Sequence, residues 1–178
     1  MAGRDPGEAT HNFLDPLRKA VSCVCPDVLM ASSYGPRPEP SVISFDRGRL
    51  AHLHGDSRLL FRMRLEFVYL QVADHRGAWK VNIVGYWYSL VTSEERELLA
   101  YHWHPSATPE LTFPHLHIGH AAQVGYGPIT EAHLPTGHVA VEDVLRLAIA
   151  HFGVQPQRVD WREVLDETQG AYNDIRSW

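Results

Sequence analysis

Two His-x-His pairs lie within residues 101–120, in the stretch YHWHPSATPELTFPHLHIGH. This stretch holds five of the twelve histidines of the chain. Imidazole titrates near pH 6.5, so two histidines can divide the base and acid steps of a reaction at neutral pH. Neutral imidazole is also the commonest protein ligand for metal ions. The candidate functional residues are therefore His102, His104, His115 and His117.

Four strands are expected to position these histidines. From residue 59 onward, runs of aromatic and β-branched residues alternate with DHRG, TSEE and PSATPE, which are typical of turns. Loops of two, four and six residues would pair 75 with 78, 91 with 96, and 104 with 111. Because side chains alternate between the faces of a sheet, these pairings assign a face to every strand residue. A single β-bulge would invert the assignment of everything after it.

One face of the predicted sheet is almost wholly apolar or aromatic, and it is the natural packing surface for helices. Its members are Phe61, Met63, Leu65, Phe67, Tyr69, Val84, Tyr86, Tyr88, Leu90, Leu99, Tyr101, Trp103, Leu116 and Ile118. The same register places Lys80 on this face.

The opposite face collects all four histidines of the two pairs. Its members are Arg62, Arg64, Glu66, Gly85, Trp87, Ser89, His102, His104, His115 and His117. Gly85 would lie opposite His102 and leave space beside it. In addition, His133 and His138 precede a long helix and could reach this face.

Helices are expected at both ends of the chain. Asp15 and Pro16 have the types expected at the N-cap and first position of a short N-terminal helix. Two further helices are predicted within VAVEDVLRLAIAHFG and DWREVLDETQGAYNDI, each with an apolar stripe. Pro114 lacks an N–H, which places the fourth strand at an edge or at a bulge. The prediction is an α+β fold: an antiparallel meander of four or five strands, with one N-terminal and two C-terminal helices on one face.

Length and composition indicate one globular domain spanning residues 1–178, with residues 1–12 disordered or loosely attached. The formal net charge of −5 argues against a general nucleic-acid coat, for which a basic surface is expected. Cys23 and Cys25 are too close for an unstrained disulfide, so two reduced thiols are expected. No apolar run reaches the roughly 20 residues of a membrane span. We expect a cytoplasmic protein that does not bind membranes.

Three functions are compatible with the polar face. In the first, the histidines supply acid and base groups for RNA cleavage, Arg62 and Arg64 bind phosphate, and no cofactor is needed. In the second, His102, His104, His115 and His117 bind zinc or another divalent transition metal, although the arginines would repel a cation. In the third, the face is a non-catalytic surface that binds another protein.

The segments AYHWHP, PHLHIG, HLPTGHVAVEDVL and FGVQPQRVDW resemble a group of uncharacterised actinobacterial proteins of similar length. This resemblance covers most of the chain and implies no activity.

A second resemblance is to the TumE-type toxins of bacterial toxin–antitoxin pairs. It rests on an antiparallel meander, an H-x-H strand at His115 and His117, and the following helix VAVEDVLRLAIAHF. The chain is longer than these toxins and is acidic where they are usually basic. The resemblance implies a toxin-like protein that acts on RNA and is controlled by an antitoxin-like partner. It favours a toxin-like function over other enzymatic functions.

Overall fold

The computed structural model describes residues 2–74, 77–105 and 111–173, which form three α-helices and one antiparallel sheet of nine strands. The helices are α1 (Pro6–Val21), α2 (Val141–His151) and α3 (Trp161–Asn173). The strands are β1 (Ala2–Gly3), β2 (Leu29–Ala31), β3 (Ser41–Phe45), β4 (Ala51–His52), β5 (Leu60–Asp74), β6 (Gly77–Val91), β7 (Glu97–Trp103), β8 (His115–Ile118) and β9 (Leu134–Pro135).

The order across the sheet is β2-β3-β5-β6-β7-β8-β9, with β1 paired to β6 and β4 paired to β5. The four strands β5 to β8 are the predicted meander, and the predicted α+β class is confirmed. The sheet has more strands than the predicted four or five, because short segments extend it on both sides. These segments are two to five residues long, which is too short for a distinct alternating pattern.

The three helices cover one face of the sheet, as predicted. Helix α1 contacts both α2 and α3, which also contact each other. Beneath them, the odd-numbered residues of β5 and the even-numbered residues at the C-terminal end of β6 belong to the same buried core. Tyr88 and Phe61 are fully buried there. In the histidine strand β7, Leu99, Tyr101 and Trp103 are partly buried and pack against this core.

The prediction that residues 1–12 are disordered or loosely attached is wrong for the described residues 2–12. Strand β1 pairs with β6, and α1 begins at Pro6 rather than at Pro16. The chain contains Asp-Pro twice, and the first of the two begins the helix: the Asp5 carboxylate accepts a hydrogen bond from the Glu8 amide at 2.8 Å. Pro16 lies inside α1. A proline there removes one helical hydrogen bond, and the buried apolar side of the helix offsets that loss.

The observed register is displaced from the predicted one by two residues in each of the two hairpins next to the histidines. His102 lies opposite Trp87 rather than Gly85, and it lies opposite His115 in β8. A shift of two residues keeps every side chain on its face, because the alternation has a period of two. The predicted face of each histidine strand is therefore correct, whereas the predicted neighbours are wrong.

A β-bulge in β6 overturns the predicted face of Lys80. Glu66 pairs with Gly85 and Phe67 pairs with Ile83, which leaves Val84 without a partner in β5. Beyond the bulge the faces of β6 are exchanged, and Lys80 lies opposite Leu70 on the polar face. A second irregularity near the end of the hairpin restores the original parity.

Pro114 does not mark an edge strand. Strand β8 begins at the next residue and is flanked by β7 and β9. The Pro114 carbonyl accepts a hydrogen bond from the Thr136 amide at 2.8 Å, so that the segment before α2 is held beside β8. Within the described ranges, no helix combines the length and apolar character that a membrane crossing requires.

Candidate functional site

The two His-x-His pairs come together on the face of the sheet opposite the helices. His102 of β7 lies directly opposite His115 of β8, and His117 lies opposite Ala100. His104 follows the last residue of β7. Opposed residues in an antiparallel pair have Cβ atoms about 5 Å apart, so their rings can touch. The small side chain of Ala100 leaves room for the ring of His117 to lean towards β7.

The imidazole rings form one continuous cluster. Ring centroids are 4.7 Å apart between His102 and His117, 5.5 Å between His102 and His115, and 5.1 Å between His115 and His117. The ring of His104 lies 5.4 Å from that of His115. We call these four residues, together with His133, the histidine cluster.

His133 joins the cluster from outside the predicted strands. It directly precedes β9, and its ring centroid lies 4.3 Å from that of His117 and 5.0 Å from that of His115. A 3₁₀ turn over residues 127–130 contacts β8 and leads the chain to this position. His138 goes instead to the helix-covered face, where its ring lies 4.5 Å from that of Trp103.

Burial within the cluster is graded from the rim to the interior. His133 is exposed, His117 is half-buried, His102 is 7% exposed and His115 is fully buried. Among the described residues, no hydrogen-bond partner is found for three buried ring nitrogens: His102 Nε2, His104 Nδ1 and His115 Nε2. Each buried polar atom left in this state costs about 1–3 kcal/mol.

A backbone contact determines the tautomer of His115. Its Nδ1 lies 3.0 Å from the carbonyl oxygen of Phe113, and a carbonyl can only accept. His115 Nδ1 therefore donates, and the lone pair of the neutral ring lies on Nε2, facing the cluster. Such a carbonyl contact on the far nitrogen is typical of metal-binding histidines, because it orients the ring and makes the ligand more basic.

Burial also keeps the central imidazoles neutral. Desolvation, followed by the neighbouring His117 and His115, lowers the pKa of His102 to about 3. Desolvation, followed by His133 and His115, lowers the pKa of His117 to about 4. The pKa of His115 is lowered for the same main reason. At neutral pH these rings are uncharged, and each has one N–H and one nitrogen lone pair.

Two overlapping sets of three histidines are close enough to hold a metal ion. The inner group is His102, His104 and His115, and the outer group is His115, His117 and His133. Within each group the ligand nitrogens lie within 4.8 Å of one another. Nitrogens about 2.1 Å from a tetrahedral zinc ion lie about 3.4 Å apart. Side-chain rotations that shorten these nitrogen–nitrogen distances by about 1.4 Å or less would give either group the spacing of a zinc site.

The two predicted arginines lie on the same face in β5, two strands from the His102 strand β7. Arg64 is opposite Trp87, which is opposite His102, so the indole of β6 lies between the guanidinium and the imidazoles. Arg64 Nη2 pairs with Glu66 Oε1 at 2.7 Å, and Arg62 lies opposite Ser89. Side chains of Arg64, Glu66 and His104 nevertheless line one small cleft of about 40 Å³.

A hydrogen-bonded chain of side chains lies beside the cluster. Trp87 Nε1 donates to Ser89 Oγ at 2.6 Å, and Ser89 Oγ donates to Glu97 Oε2 at 3.0 Å. The Trp87 ring packs on His102 with centroids 4.2 Å apart. Glu97 was not among the predicted site residues. Glu97 lies at a bulge, because Val91 pairs with Glu97 whereas the preceding Leu90 pairs with Leu99. The alternation of residue types along the sequence does not reveal such a bulge.

Comparison with protein-family models, curated proteins and solved structures gave no match. The function of this chain is therefore inferred from the geometry of its histidine cluster.

Proposed function

We propose that this protein binds one divalent transition-metal ion at the histidine cluster. One observation carries the proposal: five imidazoles converge, and three of their buried nitrogens have no hydrogen-bond partner among the described residues. A metal ion would satisfy such nitrogens, because each presents a lone pair when the ring is neutral. The carbonyl of Phe113 supports this use of His115 by holding its other nitrogen.

The stoichiometry follows from the position of His115. This residue belongs to both the inner and the outer group. Its Nδ1 is engaged by the Phe113 carbonyl, so only Nε2 is available as a ligand. One nitrogen lone pair binds one ion, and the two groups are alternative sites for a single ion rather than two sites filled together.

The ligand set favours borderline transition metals. Both groups consist of imidazole alone, without thiolate or carboxylate. Imidazole suits zinc, copper, nickel and iron, whereas magnesium and calcium prefer oxygen ligands. We therefore propose Zn²⁺, Ni²⁺ or Cu²⁺ as the ion, and expect no binding of Mg²⁺ or Ca²⁺ at this site.

Metal titration of protein purified without an affinity tag tests the proposal. After removal of metal with a chelator, isothermal titration with Zn²⁺ should give one ion per chain. His115→Ala should lose this binding, whereas His151→Ala should retain it, since His151 is exposed at the end of α2. The proposal is overturned if the chelated wild type binds no transition-metal ion, or if His115→Ala binds as the wild type does.

An RNA-cleaving, toxin-like function with an antitoxin-like partner is our second proposal. The observation that favours it is the cleft shared by Arg64 and His104, where a phosphate could meet both a guanidinium and an imidazole. Expression in a bacterial host should then arrest growth and degrade RNA, and replacing His115 and His117 together by alanine should abolish the arrest. Harmless overproduction of the wild type would refute this proposal.

A further inference from the structure

A cleft of about 420 Å³ opens beside the outer group of the histidine cluster. His117, a member of the outer group, lines this cleft, whereas neither His102 nor His104 of the inner group lines it. The remaining lining residues are Arg96, Glu97, Ile118, Gly119, His120, Ala121 and Thr130. A small molecule in this cleft would therefore contact His117, one of the three ligands of an ion held by the outer group.

The carboxylate of Glu97 is held in place at this cleft. Ser89, which is fully buried, donates to Glu97 Oε2, and its own oxygen accepts a hydrogen bond from the Trp87 indole. The backbone of Glu97 is also closely packed against that of Gly119, because a Cβ atom at Gly119 would lie 2.0 Å from the Glu97 carbonyl oxygen. The bond to Ser89 uses Oε2 and does not involve Glu97 Oε1.

We propose that the outer group and Glu97 form a hydrolytic centre, in which Glu97 accepts a proton from a water molecule bound to the metal ion. This inference rests on the proposed metal binding. A site with three histidine ligands leaves a coordination position open for water, and a bound metal ion makes that water far more acidic. The cleft provides the space in which the water can meet a substrate.

The proposed reaction is the hydrolysis of an ester. The water gives one proton to Glu97, and the resulting hydroxide forms a bond to the acyl carbon. The bond from this carbon to the ester oxygen then breaks, and the leaving alkoxide takes the proton from Glu97. The products are a carboxylic acid and an alcohol, and Glu97 returns to its carboxylate form.

The cleft lining favours an acyl substrate over a phosphate ester. Arg96 is the one arginine or lysine in the described lining, and it already lies 3.9 Å from a carboxylate oxygen of Glu94. A phosphate dianion is usually bound by several cationic or N–H donors, and it would be repelled by Glu97. Ile118 and Ala121 instead offer apolar surface to the rest of an ester.

The test uses the chelated full chain loaded with one equivalent of Zn²⁺ and 4-nitrophenyl acetate as the probe. We expect hydrolysis faster than with the same concentration of free Zn²⁺. Glu97→Gln should lower kcat by about 10²-fold or more, since general base catalysis contributes that much. Its affinity for Zn²⁺ should stay within about threefold of the wild type, because glutamine retains an oxygen that accepts the Ser89 hydrogen bond.

The matched control is Glu94→Gln, which removes an exposed carboxylate three residues away and should leave kcat unchanged. Ser89→Ala should lower kcat with little change in KM, as expected for a positioning residue. The inference is overturned if the loaded protein is no faster than free Zn²⁺, or if Glu97→Gln is as active as Glu94→Gln. Absence of binding by Zn²⁺, Ni²⁺ and Cu²⁺ alike would overturn the proposed function as well, whereas Zn²⁺ binding without hydrolysis overturns this inference alone.

Discussion

Replacing His115 with alanine should abolish the stabilisation that a metal ion confers on the fold. An ion that binds only the folded chain, at a free concentration 100 times its Kd, stabilises it by about 2.7 kcal/mol. In a chain of this length each kcal/mol raises Tm by about 2–4 °C, so the wild type should gain about 5–11 °C. The variant should gain nothing, because both the inner and the outer group include His115.

The metal-free variant should also be less stable than the metal-free wild type. His115 is fully buried, and truncating a large buried side chain costs about 2–5 kcal/mol. The unpartnered Nε2 atom is removed with the ring, and the loss of its desolvation cost stabilises the folded variant by about 1–3 kcal/mol. We therefore expect a net loss of about 2 kcal/mol and a Tm lower by about 4–8 °C.

Differential scanning calorimetry of untagged protein, with chelator or with Zn²⁺, measures both effects. His151→Ala serves as the control and should keep the full metal-induced shift. His104→Ala removes a ligand of the inner group alone, and His133→Ala a ligand of the outer group alone. If the outer group holds the ion, only His133→Ala loses most of the shift. A normal shift in His115→Ala, or none in the wild type, would refute the reasoning.

Three further predictions concern pH, packing and thiol chemistry. Burial lowers the pKa of His102 to about 3, so that between about pH 6.5 and pH 3 the unfolded chain binds a proton that the folded chain does not. The metal-free protein should accordingly lose stability on acidification, by up to about 1.4 kcal/mol per pH unit for this residue, and urea unfolding that is unchanged between pH 7 and pH 5 would contradict this. Gly119→Ala should cost at least about 2 kcal/mol in urea unfolding because its Cβ would clash with backbone, whereas Gly137→Ala, with open space around it, should be nearly neutral. Cys25, whose pKa burial raises to about 12, and Cys23 are both fully buried, so neither should react with Ellman's reagent at pH 8 until urea unfolds the chain.

The candidate site was partly predictable because alternation is a local property of an extended chain. The face shared by His102, His104, His115 and His117 follows from their spacing and from loops of even length, and the observed register shift of two residues leaves it unchanged. The same reasoning failed for Lys80, where one bulge exchanged the faces of β6. Bulges arise from packing between strands, and Gly85, which directly follows Val84, is by itself only a weak indication of one.

Helix prediction shows the same division. The stripe of α2 and the terminating Gly153, whose φ is +70°, were visible in the sequence. The start of α1 was not, because Asp5-Pro6 and Asp15-Pro16 carry the same N-terminal signal. Pairing of β1 with β6 and burial of the first turns of α1 against the core selected the earlier start.

The amino-acid sequence alone determined the α+β class, the apolar face that receives the helices and the face that presents the histidines. It did so because apolar periodicity and strand alternation depend only on neighbouring residues in the chain. Tertiary structure decided that His133 completes the cluster, that Trp87 lies between His102 and Arg64, and that Glu97 reaches its cleft. These contacts join residues from different strands and loops, and their distances depend on register, bulges and the path of a loop that only the packed fold defines.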